Sequence, residues 1–328
     1  MIVNSTVHIL PAVCAVVVTY NRPALLRQVL DAYGRCDPCP EKIFVVDNAS
    51  DEETVTLLDE WITTGGDIQK QVIRNATNLG GAGGFAVGID RAAADGFNWI
   101  FVADDDAIPD AHVFRELMGG LKRIQAGAPG KQIAALAACV INNGKIDEVH
   151  RRSLIKTNLG VREVNVPLTS YAASEFEIDE FSYVGVMLNG DAVREYGTTD
   201  ASLFIQYDDT EHSLRIKQYG PIYCIPSARI VHDVPTANTS EVTWKHYYIL
   251  RNRLIVARRY FGLPAFLTET VDTYLRRGSI LSLLVKKRSA AERRLCREAI
   301  KDAWGNKLGI SETYFPGKKI NENREGQS

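Results

Sequence analysis

Three carboxylates stand in a row at Asp104-Asp105-Asp106, directly behind the apolar run Trp99-Ile100-Phe101-Val102-Ala103. Adjacent carboxylates repel one another, so ending a buried strand on them is costly unless something positive sits there. A hard divalent cation with oxygen ligands meets that need. The plainer alternative is a solvated, helix-capping acidic turn, since Pro109 and Asp110 follow. A second acidic group, Asp208-Asp209-Thr210-Glu211, opens a helical pattern that holds Leu214 and Arg215. Carboxylates gather at helix starts for electrostatic reasons alone; the chemical reading is that one of them is a general base. His232 follows Arg229-Ile230-Val231. A lone histidine in such a run is ordinarily packed, and it becomes a ligand only if the fold carries it to the carboxylates. Finally, Asn78-Leu79-Gly80-Gly81-Ala82-Gly83-Gly84-Phe85 is a glycine-rich turn into a helix. Backbone N–H groups there can approach an anion, and this density of glycine predicts close approach to a ligand rather than one tight turn. It has no Gly-Lys-Ser/Thr, and it follows a third strand rather than a first, so neither a Walker A loop nor a dinucleotide fingerprint fits.

These groups need a scaffold, and the first half of the chain supplies one. Residues 12–19 form a continuous β-branched run, the mark of a strand buried on both faces. Pro23 opens a helix through Tyr33, with Leu25, Leu26, Val29 and Leu30 on one side. Residues 42–47 are a second strand. Ser50 with Glu53 reads as a capping box for a second helix. Val72-Ile73 marks a third strand, residues 83–95 a helix and residues 99–103 a fourth strand. This alternation predicts an α/β fold, with a mostly parallel sheet and helices on both faces. Ligands bind such sheets beyond the carboxyl ends of the strands, where Thr19-Tyr20-Asn21-Arg22, Asp47-Asn48, the glycine turn and the triple Asp all fall. Residues 144–180 are polar and weakly periodic, either a mobile loop or an inserted hairpin. Helices are expected near residues 191–196 and from Thr210 to before Gly220, with a strand at 222–225 stopped by Pro226. From Val242 the pattern is helical, with a polar tail after Pro316.

Composition sets the limits. In 328 residues, 45% are hydrophobic and 24% charged, which excludes global disorder. Lys plus Arg total 38 against 40 Asp plus Glu, so the whole-molecule field is not that of a nucleic-acid binder. Six scattered cysteines are too few for a disulfide-stapled module. Cys36 and Cys39 have Cys-x-x-Cys spacing with no second pair at zinc-ribbon distance. The early apolar run has no basic flank or cleavage pattern, so the chain is expected to be cytoplasmic.

The order of these motifs resembles the inverting glycosyltransferases of family 2, with the GT-A fold, from about Val13 to Arg253. The resemblance rests on Val16-Val17-Val18-Thr19-Tyr20-Asn21-Arg22, Val45-Val46-Asp47-Asn48-Ala49-Ser50, the glycine turn, the triple Asp, Asp208-Asp209-x-Glu211, His232, and Trp244-Lys245-x-Tyr247-Tyr248-x-x-Arg251-Asn252. Bacterial galactofuranosyltransferases and rhamnosyltransferases look most similar, through the paired glycines and the triple Asp. The resemblance implies that Thr19, Tyr20, Asn21 and Arg22 flank a nucleotide base and that Asp47 holds the uridine. Asn78, Gly80 and Gly81 would border the nucleotide and diphosphate, and Asp104 and Asp105 the nucleotide sugar. Asp104, Asp106 and His232 would hold Mn²⁺ or Mg²⁺. Asp209 would be the catalytic base with Asp208 in support. Trp244, Tyr247, Tyr248, Arg251 and Asn252 would shape the acceptor side or steady the diphosphate.

The expected reaction is transfer of galactofuranose from a UDP-sugar to a glycan or lipid-linked glycan acceptor. A dTDP-rhamnose enzyme is the alternative within the class. A nucleotidyltransferase is the alternative outside it, disfavoured because the first strand runs into Thr19-Tyr20-Asn21-Arg22-Pro23 rather than a basic glycine loop. Residues 1–241 are expected to form the nucleotide-sugar and catalytic domain, and 242–328 a helical appendage. The stretch from Tyr274 to Lys301 carries Arg276, Arg277, Lys286, Lys287, Arg288, Arg293, Arg294 and Arg297 among leucines. It is either a solvated face packed by its leucines or a contact with an anionic membrane.

Overall fold

The computed structural model describes residues 12–157, 160–233, 242–279 and 289–320. Its strands are β1 (Val13–Thr19), β2 (Lys42–Asp47), β3 (Gln69–Arg74), β4 (Trp99–Asp104), β5 (Ile108–Pro109), β6 (Ala135–Asn142), β7 (Lys145–Ile146), β8 (Arg151–Thr157), β9 (Gly160–Asn165), β10 (Phe176–Ile178), β11 (Glu180–Phe181), β12 (Val186–Asn189) and β13 (Ile222–Val231). The helices are α1 (Pro23–Tyr33), α2 (Glu52–Thr63), α3 (Gly80–Ala94), α4 (Val113–Gly127), α5 (Gly190–Tyr196), α6 (Asp208–Ile216), α7 (Lys245–Thr273) and α8 (Ala290–Trp304).

The central sheet runs β10-β13-β6-β12-β4-β1-β2-β3. β1, β2, β3 and β4 pair in parallel, and β12 alone interrupts the parallel run between β4 and β6. The first strand shows why the run of β-branched residues is unbroken. Val13, Ala15 and Val17 face one core with Leu26, Leu57 and Phe114, while Cys14, Val16 and Val18 face the other with Phe85, Ile89 and Val193. Helices therefore cover both faces, and each residue of β1 is buried. The strand order reverses between β1 and β4, and a crevice opens there at the carboxyl edge. Register brings Thr19 opposite Asp47, and Val18 opposite Asp104.

Several boundaries differ from the sequence expectation. Asp51, not Ser50, caps α2, its carboxylate accepting from Thr54 N. α3 begins at Gly80, so the glycines are its first turn rather than a loop ahead of it. Pro226 does not end β13: a register shift between Ile225 and Arg229 absorbs it, and pairing with β6 resumes as far as Val231. That continuation delivers His232 to the sheet edge. The weakly periodic stretch resolves as the inserted hairpin. β8 and β9 pair antiparallel, and β11 joins them in a second, three-stranded sheet. Arg151 pins this insertion: its buried guanidinium donates to the carbonyls of Ala138, His150 and Val184.

Candidate active site

A cleft of about 680 Å³ lies at the carboxyl edge of the sheet. Thr19, Tyr20, Arg22, Asn78, Gly80, Gly81, Asp104, Asp105, Asp106, Asp208, Asp209, His232 and Trp244 all line it. Chain segments far apart in sequence therefore meet in one place, and most of the residues singled out from sequence are among them.

The acidic floor is organised by three groups. Thr19 Oγ1 donates to Asp105 Oδ2 at 2.7 Å, and Arg22 Nη1 donates to Asp105 Oδ1 at 3.2 Å and Asp106 Oδ2 at 2.7 Å. His232 Nε2 lies 3.2 Å from Asp106 Oδ1. Ligand atoms of Asp104, Asp106 and His232 fall within 4.8 Å of one another. Burial, with Asp106 and Asp105 adding to it, pushes the Asp104 carboxyl up to about 7. Burial also works against Asp106, yet His232 and Arg22 hold it below the usual carboxylate range. Among the atoms of these two residues, His232 Nδ1 is buried without a hydrogen-bond partner, and Asp106 Oδ1 meets only His232 Nε2. Two carboxylates and an imidazole at this spacing fit a divalent cation such as Mn²⁺ or Mg²⁺. Cys36 and Cys39 join no such cluster among the described residues.

Across the cleft, α6 opens on Asp208 and Asp209. The chain reaches them through three non-glycine residues at positive φ, Phe204 (67°), Gln206 (68°) and Tyr207 (64°). Such backbone is costly and survives only where the surroundings hold it. Asn252 holds it: its Nδ2 donates to the carbonyls of Leu203 (3.0 Å), Ile205 (3.0 Å) and Gln206 (2.8 Å). Arg251 adds a bond from Nη2 to Leu203 O at 3.1 Å. Burial raises the proton affinity of Asp208, with Asp209 adding to it, and burial raises that of Asp209 against the pull of Arg152. Arg152 lies on the hairpin, between Glu163 (3.3 Å) and Glu180 (3.8 Å). Burial pushes Glu180 up to about 8, with Glu163 adding to it and Arg152 opposing.

Some expected site residues lie elsewhere. Tyr247, Tyr248, Arg251 and Asn252 are buried under the cleft rather than in it. Tyr248 OH donates to Tyr314 O at 2.8 Å, Tyr247 stacks on Tyr314 at 4.8 Å, and Arg251 Nη1 donates to Gly309 O at 2.7 Å. Helix α7 turns Tyr247, Tyr248 and Arg251 toward the C-terminal segment and Asn252 toward the turn ahead of α6, and of its motif Trp244 and Lys245 line the cleft. Asp47 is buried with Oδ1 accepting from Ser50 N, and Asn21 Oδ1 accepts from Asp51 N. Asp47 thus braces the loop after β2 and Asn21 ties that loop to the one after β1, and neither lines the cleft.

The glycines mostly serve protein packing. A Cβ on Gly80 (φ 73°) would sit 2.0 Å from the Phe204 carbonyl oxygen, and one on Gly84 2.6 Å from Val18 Cγ1. Gly81 alone of the four in the first turn has open space beside it. The N–H of Ala82 is taken by Phe204 O, and that of Gly80 by Asn78 Oδ1. The start of α3 is thus largely capped from within the protein. Two cleft residues escaped the sequence reading as individual site candidates. Arg152 lies in the stretch with no clear period. Lys245 stands inside the Trp244 motif but has no chemical partner nearby in sequence; folding brings it near Arg22, Asp104 and Asp106.

A family model described as glycosyl transferase family 2 matches residues 14–161. Galactofuranosyltransferase GlfT1 of Mycolicibacterium smegmatis is 29% identical over 278 residues, which is 82% of this chain and 83% of that relative. Among solved structures, GalNAc-T7 with UDP, GalNAc and Mn²⁺ superposes with a TM-score of 0.60 at 15% identity, over 90% of this chain and 56% of that one. The mannosyltransferase PcManGT from Pyrobaculum calidifontis, in complex with GDP-Man and Mn²⁺, gives 0.53 at 14% identity, over 90% and 88%. At such identities the structural likeness carries the fold. The chain therefore carries a glycosyl transferase family 2 domain in a GT-A-like fold, is homologous over most of its length to mycobacterial galactofuranosyltransferases, and is a glycosyltransferase.

Proposed function

We propose that this enzyme transfers galactofuranose from UDP-galactofuranose, with inversion at the anomeric carbon, to a lipid-linked cell-surface glycan. One observation carries the reading: a single cleft is lined on one side by Asp104, Asp106 and His232 and on the other by Asp209, whose proton affinity is raised. The galactofuranosyltransferase relative supports the choice of sugar.

In this reading Asp104, Asp106 and His232 hold Mn²⁺ or Mg²⁺, which when bound supplies stabilisation of negative charge on the departing diphosphate. Thr19, Tyr20, Asn78 and Gly81 border the nucleotide. Asp105 is a positioning residue, since it fixes Thr19 and Arg22. Asp209 takes the proton of the acceptor hydroxyl as that oxygen attacks the anomeric carbon and the bond to the diphosphate breaks. A single base opposite the leaving group yields inversion without a covalent enzyme intermediate. Asp208, buried beside it, carries the strained turn into α6.

Membrane contact fits the same picture. Leu263, Leu267, Val271, Tyr274 and Leu275 are between 41% and 57% exposed, and their spacing places them along one side of the helical stretch that runs from the kink of α7 at Gly262 through the turn Tyr274–Gly278. Gly160, at the turn of the hairpin bearing Arg152, lies against Ala265 of the same helix segment. An apolar stripe on the acceptor side, followed by Arg276 and Arg277, suits a lipid-linked acceptor at the cytoplasmic face of an anionic membrane. No described helix is long and apolar enough to cross a membrane. The basic residues Lys286, Lys287 and Arg288 fall outside the described residues.

A donor screen tests the function. With Mn²⁺ and a lipid-linked acceptor, release of the nucleoside diphosphate is expected from UDP-galactofuranose, as UDP, and not from dTDP-rhamnose, as dTDP. Asp209→Asn is expected to lower it by about 10²–10⁴-fold, and a chelator to abolish it. Release from no donor, or full activity in Asp209→Asn, would overturn the reading.

A further inference from the structure

The C-terminal segment after α8 returns to the cleft. It is held at several points: Gly309 N donates to Ser202 O at 2.6 Å, Ser311 N donates to Tyr248 OH at 2.9 Å, and Tyr314 OH donates to Glu298 at 2.7 Å. So anchored, residues 310–316 wall a side chamber of about 330 Å³, lined by Ile310, Phe315 and Pro316 with Tyr20, Asn78 and Phe204. Tyr20, Asn78, Phe204 and Pro316 also line the main cleft, so the two spaces are continuous. Tyr20 and Phe315 are each 40% exposed, large aromatic rings left open to this space.

Ser311, Glu312 and Asn78 make up the polar part of the chamber's lining, and Asn78 has a defined sense. Asn78 Oδ1 already accepts from Asn48 Nδ2 at 3.1 Å and from Gly80 N at 2.8 Å. Those two bonds fix the amide, and its NH₂ makes no hydrogen bond among the described residues. What it can bind is therefore an acceptor, such as the carbonyl edge of a planar base.

We propose that residues 310–316 form the outer wall of the donor's nucleobase site, with Phe315 and Tyr20 as aromatic walls and the Asn78 amide facing a base carbonyl. This rests on the nucleotide-sugar reading and adds to it the element that holds the base. Continuity with the cleft, two open rings and one oriented donor favour a nucleobase over the apolar end of an acceptor, which would leave that donor unpaired.

The test is titration calorimetry on the full chain, with UDP, ADP and inorganic pyrophosphate, each with Mn²⁺. Phe315→Ala is expected to weaken UDP by about tenfold, the scale of one base–aromatic stack, and ADP by a similar factor, since a stack does not read the base. It should leave pyrophosphate within about twofold, and Phe315→Tyr should restore UDP binding. UDP affinity unchanged in Phe315→Ala would overturn the base wall while leaving the donor reading intact. Equal weakening of UDP and pyrophosphate would overturn it too, as general damage. A parent chain that binds no nucleoside diphosphate would overturn both readings.

Discussion

Asp209 gains its raised proton affinity from burial, and the positive charge of Arg152 opposes that rise. The sign of the pH dependence follows. A base must be ionised to accept a proton, so turnover falls as pH drops through the raised pKa of Asp209. Removing the opposing cation raises that pKa further. Arg152→Met is expected to move the acidic limb of the kcat–pH profile to higher pH, with a smaller change on the alkaline side. A limb that stays in place or moves down would remove Arg152 from the proton chemistry. Glu180, pushed up to about 8 in the same cluster, couples to this titration, so the limb reports the group rather than Asp209 alone. At this scale the sequence was informative about residue types with obvious chemistry. The triple Asp, His232 and Asp209 announce themselves by charge next to apolar runs. Arg152 does not, because its partners Glu163, Glu180 and Asp209 are distant in sequence and only the hairpin brings them together.

At the scale of elements, the motif at the start of α7 divides its labour. Trp244 and Lys245 reach the cleft, whereas Tyr247, Tyr248, Arg251 and Asn252 face inward and hold backbone. Asn252→Ala removes three bonds to the strained turn ahead of Asp208 and takes this donor from the half-buried Ile205 and Gln206 carbonyls, while Leu203 O keeps Arg251. A loss of about 2–3 kcal/mol of stability is expected, read by denaturant unfolding. A larger fall in kcat than in donor affinity should accompany it, because the turn positions α6 rather than the donor. Unaltered kcat in a folded Asn252→Ala chain would show that the turn keeps its shape unaided. Helical periodicity alone could not have told these roles apart, since α7 is apolar on more than one side. The alternating strands and helices up to β4 were legible because burial on two faces leaves a continuous apolar run. The hairpin was not, because its strands are only half-buried and alternate weakly. The length of β13 was hidden too: Pro226 reads as a stop, yet a bulge carries the strand past it to His232.

For the whole molecule, the near-balance of charge conceals a division of surfaces, with carboxylates gathered in the cleft, exposed apolar groups along the far half of α7, and Arg276 and Arg277 just beyond it. The stripe gives a cleaner membrane test than deletion. Residues beyond Tyr274 include α8, whose Leu295, Cys296 and Ala299 pack with Tyr247, Tyr248 and Leu250 in a shared core, so truncation there would unfold the support of the cleft. Leu267→Glu with Val271→Glu is expected to abolish flotation with anionic liposomes while transfer to a short, water-soluble acceptor continues at the parent rate. Flotation equal to the parent's would take the membrane off that face. The anchored C-terminal segment has a consequence of another kind, in time rather than space. During synthesis the sheet, the triple Asp and Asp209 leave the ribosome well before residue 309, and amino-terminal parts fold first. A chain caught at that stage has its acidic floor but lacks the wall made by residues 310–316 and the bonds that Gly309 and Tyr314 contribute. The cleft is thereby finished by a segment made after the sheet and both acidic groups, and a single proteolytic cut near residue 309 is expected to silence the enzyme while the sheet stays folded.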